Sequence, residues 1–323
     1  MKKLANLVLS LLVTLILVAW LIQYVQMEQF LQVMTGLCLP WFFVSVAMLA
    51  VYQWLRGLRI RLFITPRPSS GPLFGAMCLQ GLLNSVLPSW LGEAALVYLL
   101  KRFFAQGVHS SAAAILVVRI ADLGFIFLMF LFMATFLLDQ VTRPFIIVAL
   151  VLLAIIAAAV IFALVVARLG MAREPGARRE GMAGKITGQL QKLSHSLAAI
   201  GEKKIYTPML ALTAAMWLAQ YIVFVAVVWA LRVDLSLTVI FGVYLIGFSV
   251  NLLPVKGVAN FGTHETAWFI ALRAFGADAS LAAMLGFGSH IVILVMHAIL
   301  GGSAALYLYS WRGEEKASAP DPL

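Results

Sequence analysis

Charge is scarce in this sequence. Of its 323 residues only 11% are Asp, Glu, Lys or Arg, against about 25% in a soluble globular domain. A soluble chain of this length would bury a core and still need a polar surface, and there is too little polar sequence here to make one. Cysteine is nearly absent. Cys38 and Cys78 both sit in apolar stretches, without the spacing of a metal site or the number needed for a disulfide framework. Both read as small buried hydrophobes. Also missing are His-Glu-x-x-His, Gly-x-Ser-x-Gly, a Walker loop and an Asp-rich pair on a loop. These gaps argue against metal-dependent hydrolysis, serine hydrolysis and an ATP-driven pump. The chain is expected not to be an enzyme, to have no catalytic residue and no metal site, and to need no cofactor.

What is present is apolar sequence, 63% of the chain. Runs of about 18 or more apolar residues are candidate membrane spans, and six segments are long enough: roughly 4–25, 37–58, 110–137, 145–167, 207–231 and 279–310. Lys2-Lys3 followed by the run Leu4 to Val25 is longer than a secretory signal's apolar region of about 7–15 residues, so it reads as an uncleaved first span. The expected fold is an all-α polytopic membrane protein. The bilayer is then its solvent, and each span must satisfy its own backbone groups. The net charge of +10 is explained by basic residues between spans rather than by nucleic acid.

Two further apolar regions are broken. Residues 73–104 are interrupted at Asn84 to Pro88, and residues 236–275 at Asn251 to Pro254, with Gly257 and Gly262 beyond. Each half is too short to cross about 30 Å of hydrocarbon, and Pro and Gly punctuate the middle. Basic residues on both sides of the first region, Arg56, Arg59, Arg61 and Arg67 before and Lys101 and Arg102 after, predict a re-entrant hairpin entering from the cytoplasm. The second, flanked only by Arg232 and Arg273, is predicted to enter from outside. With both termini cytoplasmic, only Arg143, Arg232 and Arg273 of the 23 Lys and Arg fall outside, and Arg119 and Lys256 lie within the membrane. That asymmetry matches the positive-inside rule and predicts a multi-pass protein of the cytoplasmic (inner) membrane. The segment 168–204 reads as a basic cytoplasmic linker, in part an amphipathic surface helix, and 313–323 as a polar tail after a single transmembrane domain, 1–312.

The broken regions resemble each other. Asn84, Leu87-Pro88 and Gly92-Glu93 answer to Asn251, Leu253-Pro254, Gly262 and Glu265. Each is followed by a long span with a basic group about 25 positions after the glutamate, Arg119 in one and His290 in the other. Inverted repeats, about 37–137 and 207–310, with broken helices meeting near the midplane are a transporter signature.

Ionisable residues inside a span cost at least about 2.5–3.5 kcal/mol near the bilayer centre, so they have partners and functions. The candidates for binding and translocation are Glu93, Arg119, Asp122, Lys256, Glu265 and His290. Arg119 and Asp122 share one helix face at i, i+3 and could be a self-neutralising packing pair. Glu93 or Glu265 could neutralise Arg119 or His290, or hold a basic group until a lipid phosphate displaces it. Lys256 could contact a phosphate or snorkel. His264 lies in the second hairpin, and His297 reads as a packing or hydrogen-bonding residue. The positions that break the hairpins are Asn84, Pro88, Gly92, Asn251, Pro254, Gly257 and Gly262.

At these residues the chain resembles the transmembrane region of lysylphosphatidylglycerol synthase and its stand-alone, flippase-like relatives. The likeness covers nearly the whole chain. It implies movement of a lipid between leaflets and, with no aminoacyl-transferase half after Arg312, no lysyl transfer. The partners it implies are membrane lipids: an anionic phospholipid, an aminoacyl-lipid or a polyprenyl-phosphate-linked lipid, with no nucleic acid. His290 stands where the resemblance implies an arginine. Histidine loses its charge near neutral pH, so pH dependence is expected. The competing expectation is a non-transporting accessory subunit, docked to an enzyme of the same lipid pathway through 168–204.

Overall fold

A computed structural model of the chain describes residues 2–87, 89–136, 205–250 and 257–317, with scattered positions between 150 and 195. The described residues form helices and turns, with no strand among them. In chain order the helices are α1 (Lys2–Leu21), α2 (Met27–Thr35), α3 (Leu39–Arg61), α4 (Ser70–Val86), α5 (Ser89–Phe104), α6 (Val108–Phe136), α7 (Tyr206–Ala230), α8 (Leu237–Val250), α9 (Thr263–Ala274) and α10 (Ala279–Ala317).

Among the described residues, four helices are long and apolar enough to cross a membrane: α3, α6, α7 and α10. They match the expected spans 37–58, 110–137, 207–231 and 279–310. The first expected span, 4–25, ends at a bend. Leu11–Tyr24 and Met27–Thr35 meet at 93° and pass the same test only as a pair. The expected span 145–167 and the linker 168–204 fall almost entirely outside the described residues. Outward positions such as Leu128, Phe132, Leu218 and Leu306 are exposed leucines and phenylalanines, as expected of helices that are apolar all round and solvated by lipid.

The order long helix, two shorter helices, long helix occurs twice, as α3–α6 and as α7–α10. α3 packs along α7, and α10 packs against both α4 and α9. In the first broken region, Leu87 is extended at φ −84°, ψ 153°, the conformation that a following proline favours, and α4 stops there. α5 then folds back onto α4. Gly92 makes this possible, because a Cβ on it would lie 2.3 Å from Asn84 Oδ1 and 2.9 Å from Asn84 Cα. The Gln80 side chain donates to the Gly92 carbonyl at 3.2 Å, closing the pair.

In the second broken region, Asn251, Pro254 and Lys256 lie outside the described residues. The chain re-enters at Gly257 through a short 3-10 turn, Val258–Asn260. Gly262 then starts α9 with φ +82°, a left-handed conformation that glycine adopts without steric penalty. The N-terminal helix braces this turn, with Thr14 Oγ1 accepting from the Val258 amide at 2.7 Å.

Candidate functional site

A cavity of about 360 Å³ opens between the two halves. Its wall takes residues from α3, α4, α5 and α6 on one side and from α7, α8, α9 and α10 on the other. It contains two groups of ionisable side chains.

The first group is cationic. Gln53, Arg56 and Arg59 recur every third residue near the end of α3 and face the cavity, as residues at i, i+3 share a helix face. Arg59 is 3% exposed. Its guanidinium meets both oxygens of Asp122 on α6, at 2.5 and 3.2 Å, and reaches Thr213 Oγ1 at 3.2 Å. The Trp217 indole donates to the same carboxylate at 3.2 Å. A buried guanidinium is tolerable only when paired and hydrogen-bonded in this way. Arg56 is held differently. It donates to Gln53 Oε1 at 2.8 Å and Gln80 Oε1 at 2.7 Å, and lies 5.6 Å from the centre of the Tyr52 ring. These partners are neutral, so they orient the cation without cancelling its charge. Arg119 lines the same cavity.

The second group is built on histidine. Glu265, 0% exposed, accepts from the Gly262 amide at 2.7 Å and lies 2.6 Å from His290 Nδ1 on α10. The first contact satisfies an amide at the open start of α9, where a carboxylate is also favoured by the helix dipole. His290 stacks on His264 with centroids 4.6 Å apart and planes at 26°, and on its other contact meets Phe261 at 4.6 Å. His264 Nε2 is 3.2 Å from Ser289 Oγ. The close approach of α9 and α10 depends on Gly286, where a Cβ would stand 3.1 Å from Glu265 Cα. His264, His290 and His297 all line the cavity.

Most of the residues singled out in the sequence converge. Arg119, Asp122 and His290 line the cavity, Glu265 holds His290 from behind, and Asn84 reaches the wall from the hairpin break. Glu93 lies on α5, but its side chain is outside the described ones, as are Lys256, Pro88, Asn251 and Pro254 as whole residues. Asp122 forms an ion pair with Arg59, because α3 packs beside α6 at that level, a partner that the sequence reading did not name. Arg59 lies in the last turn of α3, which runs on to Arg61. The His297 Nδ1 bonds back to the Ile293 carbonyl at 2.9 Å, the hydrogen-bonding role expected of it.

Sequence reasoning missed Arg56, Arg59 and Gln220 as cavity residues, and Gln80 as a side chain that holds Arg56. The signal for the first two was present in the three-residue spacing of Gln53, Arg56 and Arg59 at the end of an apolar run. Gln80 and Gln220 carry no such signal. Two amide oxygens at the wall, Gln220 Oε1 and Asn260 Oδ1, are buried with no hydrogen-bond partner among the described residues. Such orphans call for a ligand or ordered water.

No curated protein and no solved structure matches this chain. A family model does, over residues 7–301: the lysylphosphatidylglycerol synthase transmembrane region. Together with the apolar spans, that match makes the chain a multi-pass integral membrane protein with a role connected to membrane lipids. The chain belongs to the family of the lysylphosphatidylglycerol synthase transmembrane region.

Proposed function

We propose that the chain is a lipid flippase, moving a phosphate-bearing lipid between leaflets with its headgroup in the cavity and its acyl chains in the surrounding bilayer. The observation that carries this reading is Arg56, a cation within an apolar helix, oriented by neutral amides on the wall of a polar cavity. A guanidinium so placed is suited to a phosphate oxygen. At about 360 Å³ the space is at the small end of the range of ligand pockets, enough for a headgroup but not for two acyl chains. The unpartnered oxygens of Gln220 and Asn260 favour a headgroup that also carries donors, such as hydroxyls or an amine. Arg119 and Arg59 add positive field to the phosphate position, and Asp122, Glu93 and Glu265 balance it. Lys256, on the break of the second hairpin, is assigned to the phosphate path.

In this reading α4–α5 and α8–α9 are re-entrant hairpins entering from opposite sides, both termini are cytoplasmic, and the membrane is the inner one. The hairpin breaks then meet near the midplane, where opposed broken helices form binding sites in transporters. No covalent chemistry is assigned to the chain, and the basic segment 168–204 serves as an anionic-lipid contact. A leaflet-accessibility assay in proteoliposomes tests the proposal with labelled anionic, lysyl-modified and polyprenyl-phosphate lipids. Protein-dependent flipping of one class, lost in Glu93→Gln or Arg119→Gln, supports it. No flipping of any class by folded protein moves the assignment to an accessory subunit of a lipid-modifying enzyme.

A further inference from the structure

We propose that His290, held by Glu265 and stacked on His264, is a proton-binding site that couples headgroup movement to proton movement. This rests on the transport reading above and names its energy source. The Glu265 Oε1 to His290 Nδ1 contact, 2.6 Å long, holds one proton between the two groups. His290 Nε2 remains as the nitrogen that gains or loses a second proton, on a ring that lines the cavity. Binding that proton forms one N–H bond and takes the Glu265–His290 unit from a net charge of −1 to zero, with no other reactant required.

The neighbours fit this role. Ser289 Oγ donates to the Gly286 carbonyl at 3.2 Å, so its oxygen accepts from His264 Nε2. That fixes the orientation of the His264 ring, which stacks on His290. Glu265 is fixed from its other oxygen by the Gly262 amide, so it does not turn away when the histidine deprotonates. A histidine is the residue whose charge changes within the physiological pH range.

The rest of the wall provides the coupling. Facing the site across the cavity are Tyr52, Arg56 and Arg59 from α3, Arg119 and Asp122 from α6, and His297 from α10 itself. Among the described residues, α4, α7 and α8 bring no ionisable side chain to the wall. The guanidiniums repel a further positive charge while the cavity is empty. An anionic headgroup beside Arg56 offsets that repulsion, so headgroup and proton each strengthen the other's binding. Such coupling is reciprocal by linkage. A loaded cavity therefore carries a proton with the lipid, and a pH gradient can drive the lipid in one direction.

The test uses the full chain in proteoliposomes with fluorescent phosphatidylglycerol, a pH difference imposed across the membrane and the electrical potential clamped. Wild type should shift the leaflet distribution of the probe by up to about tenfold per pH unit. His290→Arg keeps a cation beside Glu265 but cannot exchange a proton, and its leaflet distribution should not respond to the gradient. A wild type that ignores the gradient, or an arginine variant that responds equally, overturns the coupling. A second measurement does not depend on transport. The chain has 5 histidines, few enough for ring-nitrogen NMR in detergent with His290 assigned from the variant. Its signal should change protonation state with pH, and the change should move to higher pH when phosphatidylglycerol is present. A His290 ring that keeps one protonation state throughout overturns the site. Titration that shifts with lipid, found without any flipping, leaves the proton site standing and removes the flippase reading.

Discussion

The Arg59 guanidinium on α3 and the Asp122 carboxylate on α6 form a two-pronged ion pair, 3% and 6% exposed, with the Trp217 indole of α7 closing the third side. The pair joins three membrane-spanning helices at the edge of the cavity. It ties α3 to α6 within the first half, and Thr213 and Trp217 join it to α7 of the second.

Removing one partner strands the other charge in an apolar interior, which costs about 3–5 kcal/mol. Asp122→Asn and Arg59→Met should each lower the thermal midpoint of the detergent-purified protein sharply. The double variant Arg59→Met with Asp122→Leu should recover only part of that loss: replacing a buried pair by apolar groups is often close to neutral, but Arg119 also faces the Asp122 charge and loses it. A double-mutant cycle on unfolding free energies measures the coupling. Additive losses would show that the pair does not act as a unit.

Arg56 carries a different prediction. Its partners among the described residues are two glutamine oxygens and an aromatic face, so Arg56→Gln leaves no buried carboxylate behind. Its midpoint should stay close to wild type while transport of phosphate-bearing lipid falls by about one to two orders of magnitude, the equivalent of a lost charge-assisted contact of about 1.5–3 kcal/mol. Arg56→Lys should keep part of the rate, since a lysine supplies the charge without the fork. Initial flipping rates at matched protein density decide this.

How much of this was legible in the sequence depended on what kind of information each residue carries. Glu265 and His290 were legible because position within a repeat is a one-dimensional property, and 25 residues on from the glutamate the structure places the histidine 2.6 Å away. The four long spans were legible for the same reason, since length and hydropathy need no knowledge of neighbours. The burial of Arg59 was not legible, because the last turn of a helix and the first turn of a loop look alike by composition. The partner of Asp122 was not legible. Helical periodicity gives the face on which a carboxylate lies, but only the packing of α3 beside α6 says what meets it. Gln220 was hidden in a helix whose apolar character on every side gives no hint of which face is wet.

The first hairpin should fail in a specific way. A methyl group at position 92 would meet both the side chain and the Cα of Asn84, and overpacking of this kind costs about 1–3 kcal/mol. Gly92→Ala should therefore destabilise the protein and slow flipping together. Adding Asn84→Ala removes the 2.3 Å clash with Oδ1 but not the 2.9 Å approach to Cα, so rescue of the thermal midpoint should be partial. Full rescue would mean that the backbones of α4 and α5 are not in close contact.

The start of α10 offers a pH test outside the membrane. Asp278 accepts from the Leu281 and Ser280 amides at 3.0 and 3.1 Å, and those bonds hold its carboxyl below the usual value. A carboxyl lowered by folding adds stability above its unfolded pKa and loses it as pH falls through its folded one. Asp278→Asn keeps a capping side chain but not the charge. Its midpoint should lie below wild type at pH 7, and the two should converge as the solution is acidified below the usual carboxylate range. A constant gap at every pH would show that the charge plays no part.

The central claim, that lipid headgroups pass through the cavity between the two halves, has a direct test on α7. Gln220 lines the cavity and is 8% exposed, whereas Leu218 on the same helix faces outward at 60%. With Cys38 and Cys78 replaced by alanine, a single cysteine is placed at 220 or at 218 and treated with a bulky membrane-permeant maleimide, and flipping is measured before and after. Labelling at 220 should stop flipping, and labelling at 218 should leave it unchanged. Full flipping with position 220 completely labelled would contradict the account.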